Sequence, residues 1–242
     1  MANAILVVGN TGTGKSSSMY HDEELGIEGL DPRETFIINV KGKPLPFRGW
    51  KAQYKTCPEG QPPVIGNYIA TTNPDVITNY IKFVGQNRPD IKNIVVDDYQ
   101  YILAQSFMAK AMQGGFEKFN LLAKQGFDVL DAGINLPEEK NFIVLTHDDE
   151  ENGKAKMKLL GKMLEDKVDP IGLFTVALFT TTKTSLQGKT TYHFITNRIY
   201  DERSILIPAK SPRGMFEEPL IPNDLGFVLR KLHEYNNFGL EE

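Results

Sequence analysis

A chain of 242 residues, about 40% hydrophobic and with a formal charge of −4, is long enough for one large α/β unit with a substantial core. The mild acidity excludes a protein that coats a polyanion by net charge alone, while leaving room for a local basic groove. Cys57 is the only cysteine, which excludes an internal disulfide and a multi-cysteine zinc site and fits a reducing compartment. No basic-then-apolar leader pattern opens the sequence, and no run approaches the roughly 20 apolar residues that span a bilayer. A soluble, cytoplasmic protein without membrane contact is therefore expected.

Ala4–Val8 (AILVV) is a short apolar run ending at Gly9, the pattern of a buried strand. A helix is expected from Lys15 to about Leu25. Thr35–Val40 (TFIINV) reads as a second buried strand after the Asp31-Pro32 turn. The Pro- and Gly-rich segment from Lys41 to Pro63 reads as a long loop, with room for a small hairpin. Thr72-Asn73-Pro74-Asp75 carries helix-start chemistry, and Val76, Ile77, Tyr80, Ile81 and Val84 follow at helical spacing.

Asn93–Val96 reads as a strand ending in Asp97-Asp98, followed by helices over Tyr99–Met112 and Phe116–Ala132. In the second helix Phe116, Phe119, Leu122, Val129 and Leu130 share a core-facing side. Asn141–Thr146 (NFIVLT) is a further strand, ending at His147. Asn152-Gly153 marks a turn between short ribbons within the charged Asp148–Asp166 segment. Phe174–Thr181 and Thr190–Thr196 read as strands joined at Gln187-Gly188, Ser204–Pro208 as a short strand, and Asp224–Tyr235 as a terminal helix. Strands alternating with helices imply a mostly parallel sheet covered on both faces, with the later hairpin as an antiparallel extension. One domain over 1–242 is expected, its β-rich part at about 148–215.

Gly9-Asn10-Thr11-Gly12-Thr13-Gly14-Lys15-Ser16 matches G-x-x-x-x-G-K-[ST] at every fixed position. The glycines let the backbone close around an anion with its N–H groups pointing inward. Lys15 can reach the outer phosphates of ATP, the Ser16 hydroxyl can ligate Mg²⁺, and Ser17 continues the same phosphate-facing stretch. Ile94-Val95-Val96-Asp97-Asp98 delivers acids at a strand end, where a magnesium–phosphate site needs a carboxylate. Asp97 is placed to hold Mg²⁺, with Ser16 as the second metal ligand. Asp98 either orients the attacking water or caps the strand. His147 either senses the terminal phosphate or is a satisfied polar residue at a strand end.

The cradle, IVVDDYQY, LTHDDEENG and the late PAKSPRGMF together resemble the small phage-encoded, RecA-like ATPases that accompany single-strand annealing recombination, within the AAA/RecA division. The resemblance spans most of the chain. It implies an α/β RecA-like P-loop core, ATP hydrolysis with Mg²⁺, binding of single-stranded DNA, and assembly as a homo-oligomer in the host cytoplasm. A phage single-strand-binding protein is a further implied partner. Carried over by residue, Lys15, Ser16 and Asp97 take nucleotide and metal, and His147 takes the sensor place. Lys210 and Arg213 become cations reaching a neighbouring subunit's γ-phosphate, against the plainer reading that they solvate an exposed turn. The TFIINV strand ends in Asn39-Val40-Lys41, where RecA proper carries a catalytic Glu, so hydrolysis falls to Asp98 or is slow.

Lys154, Lys156, Lys158, Lys162, Lys183, Lys189 and Arg198 lie on ribbon-like segments that could track phosphates or simply be solvated. Two other uses of the same cradle are a small-molecule kinase and a nucleotide-gated interaction module. A kinase would carry an Arg-rich lid, and no R-x-x-x-R run near the cradle provides one. The absence of N-K-x-D argues against a GTPase.

Overall fold

Four apolar runs that would be unstable on a half-exposed sheet are buried on both faces, which is the condition that parallel strands require. They form β1 (Asn3–Val8), β2 (Thr35–Asn39), β4 (Asn93–Asp97) and β5 (Asn141–Thr146). A computed structural model describes residues 1–24, 27–58, 60–109, 117–159 and 169–239. The helix predicted through Leu25, the positions Met112 and Phe116, and Lys162 fall wholly or partly outside them.

With β3 (Tyr68–Ala70), β8 (Val176–Thr184), β9 (Thr190–Ile195) and β12 (Leu220–Pro222), these strands make an eight-stranded sheet. Its order is β12-β9-β8-β1-β5-β4-β2-β3. The six strands from β8 to β3 run parallel. The antiparallel extension expected from the later hairpin is there: β9 runs against β8, and β12 against β9. A second sheet, in the order β10-β11-β7-β6, joins β6 (Asp148–Glu151), β7 (Lys154–Met157), β10 (Ile199–Tyr200) and β11 (Leu206–Ile207). The Asn152-Gly153 turn connects β6 to β7, as its residues demand, with both in the left-handed region.

Strand alternation divides the core in two. Leu6, Val8, Ile38, Ile94, Val96, Phe142 and Val144 pack with residues of α2 (Pro74–Asn87), α3 (Gln100–Ala109) and α4 (Glu117–Ile134). Ile5, Val7, Ile37, Val95, Ile143 and Leu145 pack instead with Met19, Leu30 and the terminal helix α5 (Leu225–Asn236). Both faces are therefore helix-covered. Helix α2 begins where its sequence dictates: the Asn73 side chain accepts from the Asp75 and Val76 amides, with Pro74 in the first turn.

Two local expectations are corrected. The helix predicted from Lys15 is a single 3-10 turn, Ser16–Met19, after which Tyr20 leaves in an extended conformation. Ser18 Oγ competes for a backbone group, donating to the Lys15 carbonyl at 2.5 Å, while Ser16 Oγ is drawn to Asp97. The Lys41–Pro63 segment holds the short helix α1 (Trp50–Gln53) rather than a hairpin among its described residues. Strand β3 was not foreseen. Three residues are too few for a period, and only pairing beside β2 makes them a strand.

Helix α5 is tied down at its start by one carboxylate. Asp224 Oδ1 accepts from the amides of Gly226 (2.8 Å), Phe227 (3.2 Å) and, across the chain, Gly29 (2.9 Å). Asp224→Ala is expected to lower stability by about 1–2 kcal/mol, and Asp224→Asn by clearly less. Urea denaturation of the two variants checks this ordering.

Candidate functional site

The connections leaving β1 and β5, which are neighbours, travel in opposite directions across the sheet, the first to β2 and the second to β8. A crevice at the carboxyl ends of parallel strands opens at such a switch point. The register sets what lines it. Val8 pairs with Thr146 and with Phe179, and Asn39 with Asp97. Gly9, His147, Thr180 and Asp98 therefore emerge along one edge.

The Gly9–Ser16 loop follows β1 directly. Among the described residues, the backbone amides of Gly12, Thr13, Gly14 and Lys15 donate to no protein acceptor, which leaves them available to an anion. Gly9 and Gly14 are required sterically. A Cβ on Gly9 would sit 1.6 Å from Thr180 Oγ1, and one on Gly14, whose φ is +94°, would meet Asn223 Oδ1 at 2.7 Å. The Thr13 hydroxyl donates to the Asn10 carbonyl (2.7 Å) and lies 2.5 Å from that of Thr180. The Asn10 side chain accepts from the Thr11 amide at 2.6 Å.

Lys15 is buried and folds back on its own loop, donating to the carbonyls of Gly9 and Asn10, both at 2.7 Å. Burial lowers its pKa from the ordinary lysine value, while the charges of Asp98 and Asp97 oppose that shift. Ser16 Oγ donates to Asp97 Oδ1 at 3.0 Å. Asp97 is enclosed, and burial, reinforced by the adjacent Asp98, pushes its pKa up to about 7. A hydroxyl and a carboxylate side by side suit a hard cation such as Mg²⁺, which takes oxygen ligands and completes its shell with water and phosphate. Ser17 is exposed and lines the same cleft, which has a volume of about 220 Å³.

Asp98 adopts a left-handed backbone conformation (φ 66°) that turns it away from the strand direction. Its Oδ1 accepts from Gln100 Nε2 (3.1 Å) and lies 3.6 Å from His147 Nε2. Its Oδ2 accepts from Lys43 Nζ at 3.0 Å. Gln100 has a second role, since its Oε1 accepts from Thr146 Oγ1 and from the His147 amide, both at 3.2 Å. It thereby links the ends of β4 and β5. Burial, then the charge of Lys15, lowers the His147 pKa below the ordinary value, so the ring is neutral at neutral pH.

The structure thus gathers Gly9 to Ser17, Asp97, Asp98 and His147 into one place. It does not bring Lys210 or Arg213 to this cleft. Lys210 pairs through its backbone with Ala177, and its Nζ donates to the Gly172 carbonyl at 3.3 Å. Ala177 lies three residues before Thr180, about 10 Å back along β8. Arg213 is exposed in the turn after Pro212. Of the basic positions, Lys156 pairs with Glu151 at 2.8 Å, and Lys154, Lys158, Lys183, Lys189 and Arg198 are exposed.

Sequence reasoning missed Lys43, Gln100 and Thr180. Lys43 had a legible signal, because Lys41-Gly42-Lys43 follows a strand that ends at the carboxyl edge. Thr180 had none, since its place depends on β8 pairing with β1.

No protein-family model matches the chain, and no curated protein does. Among solved structures it is similar to the Legionella pneumophila ATPase DotB, at 11% identity and a TM-score of 0.37, over 95% of this chain and 52% of that one. The chain thus spans about half the length of that structure. No helix among the described residues is long and apolar enough to cross a membrane.

The raised pKa of Asp97 has a consequence for stability. Between its ordinary value near 3.8 and about 7, the folded chain holds a proton that the unfolded chain has lost, so this group's contribution to stability falls as pH rises through that window. Asp97→Asn should flatten the decline between pH 4.5 and pH 7.5, as read from denaturation midpoints in metal-free buffer. An unchanged slope would place the proton elsewhere.

Proposed function

We propose that this chain binds and hydrolyses ATP with Mg²⁺, using Gly9–Ser16 as the phosphate cradle and Asp97 and Ser16 as the metal ligands. The observation that carries this reading is the loop of unpaired amides from Gly12 to Lys15, set beside the Ser16–Asp97 hydrogen bond at the carboxyl edge of a parallel sheet. Magnesium, when bound, would neutralise charge on the β- and γ-phosphates.

The chain's own residues do the rest. The amides wrap the phosphates, and Lys15 exchanges its Gly9 and Asn10 carbonyls for phosphate oxygen. Asp98, held by Gln100, accepts a proton from a water whose oxygen attacks the γ-phosphorus. The bond from that phosphorus to the bridging oxygen breaks, and ADP leaves with the electron pair. Neutral His147 lies where it can hydrogen-bond the same water or the transferring phosphoryl group.

The finer reading is a RecA-like ATPase of phage single-strand annealing recombination. It would bind single-stranded DNA as a homo-oligomer, work beside a phage single-strand-binding protein, and present Lys210 or Arg213 to a neighbouring subunit. The order of the sequence motifs supports it. So does the exposure of Lys183 and Lys189 on the β8–β9 ribbon, which continues beyond the edge where the cradle lies.

Lys15→Ala is expected to reduce ATP turnover at least 100-fold, with tight nucleotide binding lost. Asp97→Ala should retain weak nucleotide binding and lose magnesium-dependent hydrolysis. Phosphate-release assays with purified protein test both, and a wild-type rate in Lys15→Ala would refute the assignment. The same assay run with single-stranded DNA tests the finer reading, which expects stimulation.

A further inference from the structure

The loop after β2 carries a cation that neither the cradle motif nor the acid strand accounts for. Asn39, at the end of β2, holds that loop with both ends of its amide. Its Nδ2 donates to the Lys43 carbonyl (2.7 Å), and its Oδ1 accepts from the Gly42 amide (2.7 Å). The result is a tight turn that aims Lys43 across the mouth of the cleft. Its ammonium reaches Asp98 Oδ2 at 3.0 Å and lies 5.1 Å from the centre of the Tyr101 ring. Lys43 lines the cleft together with Lys15, Ser16, Asp97, Asp98 and His147. Its side chain is 55% exposed, whereas that of Asp98 is 12% exposed.

We infer that Lys43 is a second phosphate-binding cation, supplied within the chain, that exchanges Asp98 for the γ-phosphate when ATP binds. This rests on the nucleotide site proposed above and adds to it a device that couples occupancy to activation. While Lys43 holds Asp98, the carboxylate has one oxygen occupied by a cation and is a poor acceptor for a proton from water. A γ-phosphate in the cleft offers the ammonium a more highly charged partner. The Lys43 stem is mobile enough to turn toward it, since the backbone anchor at Asn39 is not disturbed. Once released, Asp98 keeps its hydrogen bond from Gln100 and has Oδ2 free for the attacking water. ADP lacks the group that draws Lys43 away, so the tether re-forms after phosphate leaves. The Asn39 amide, by holding the Gly42–Lys43 turn, thus serves to present a cation.

The test compares ATP with ADP, both with Mg²⁺, by titration calorimetry, together with single-turnover hydrolysis. Lys43→Ala should leave ADP affinity within about twofold of wild type. It should weaken ATP binding about tenfold or more and slow single-turnover hydrolysis by a similar or larger factor, both of which Lys43→Arg partly restores. Asp98→Asn gives an opposite sign: with the tether cut, ATP binding should tighten severalfold while hydrolysis falls. This second variant keeps the inference falsifiable if Lys43→Ala folds poorly. An unchanged ATP-to-ADP affinity ratio in both variants, with wild-type nucleotide binding intact, would overturn the role of Lys43 alone. Failure of the unmodified chain to bind either nucleotide would overturn the underlying site as well.

Discussion

The shared direction of five adjacent parallel strands is the constraint on which the site depends. Because β8, β1, β5, β4 and β2 run the same way, their carboxyl ends lie along one edge. Residues far apart in sequence, such as Gly9, Asp98, His147 and Thr180, become neighbours without any long side chain having to reach. A one-residue slip of β4 against β5 would turn Val96 out of its core and carry Asp97 to the opposite face. The apolar alternation that builds the two halves of the core therefore also aims the chemistry.

Within that edge, charge is managed by pairing. Two acids and two lysines surround a small cleft, and each lysine is held by protein oxygen: Lys15 by loop carbonyls and Lys43 by Asp98. Burying charges, as Lys15, Asp97 and Asp98 are buried here, is costly unless each finds a partner. The partners here are ones that a phosphate can replace. Asp97 meets the same cost differently, by taking up a proton more readily than an exposed carboxyl and by accepting from Ser16. Metal binding at such a carboxyl would release that proton.

Much of this was legible in the sequence, and the reasons differ by element. The four buried core strands, the β8–β9 hairpin, the Asn152-Gly153 turn and the caps of α2 and α5 follow from apolar runs and turn chemistry, which act locally. The Gly9–Ser16 loop was legible from its motif and from the positive φ that Gly12 and Gly14 adopt, whereas the need for glycine at position 9 comes from Thr180 on β8. The failures have two causes, one local and one long-range. Ser16–Met19 stops at one turn, where Ser18 donates to the Lys15 carbonyl and Ser16 to Asp97. Strand β3, Thr180 and the double role of Gln100 exist only through pairing with distant segments.

The contact between Gly9 and Thr180 leaves no space for even one methyl group. Strand β8 runs on five residues past Phe179, so with β9 it forms an arm rising roughly 15 Å above the loop that it touches. Such an arm is a lever with its fulcrum at the cradle wall. A displacement of its base would press directly on the loop at Gly9.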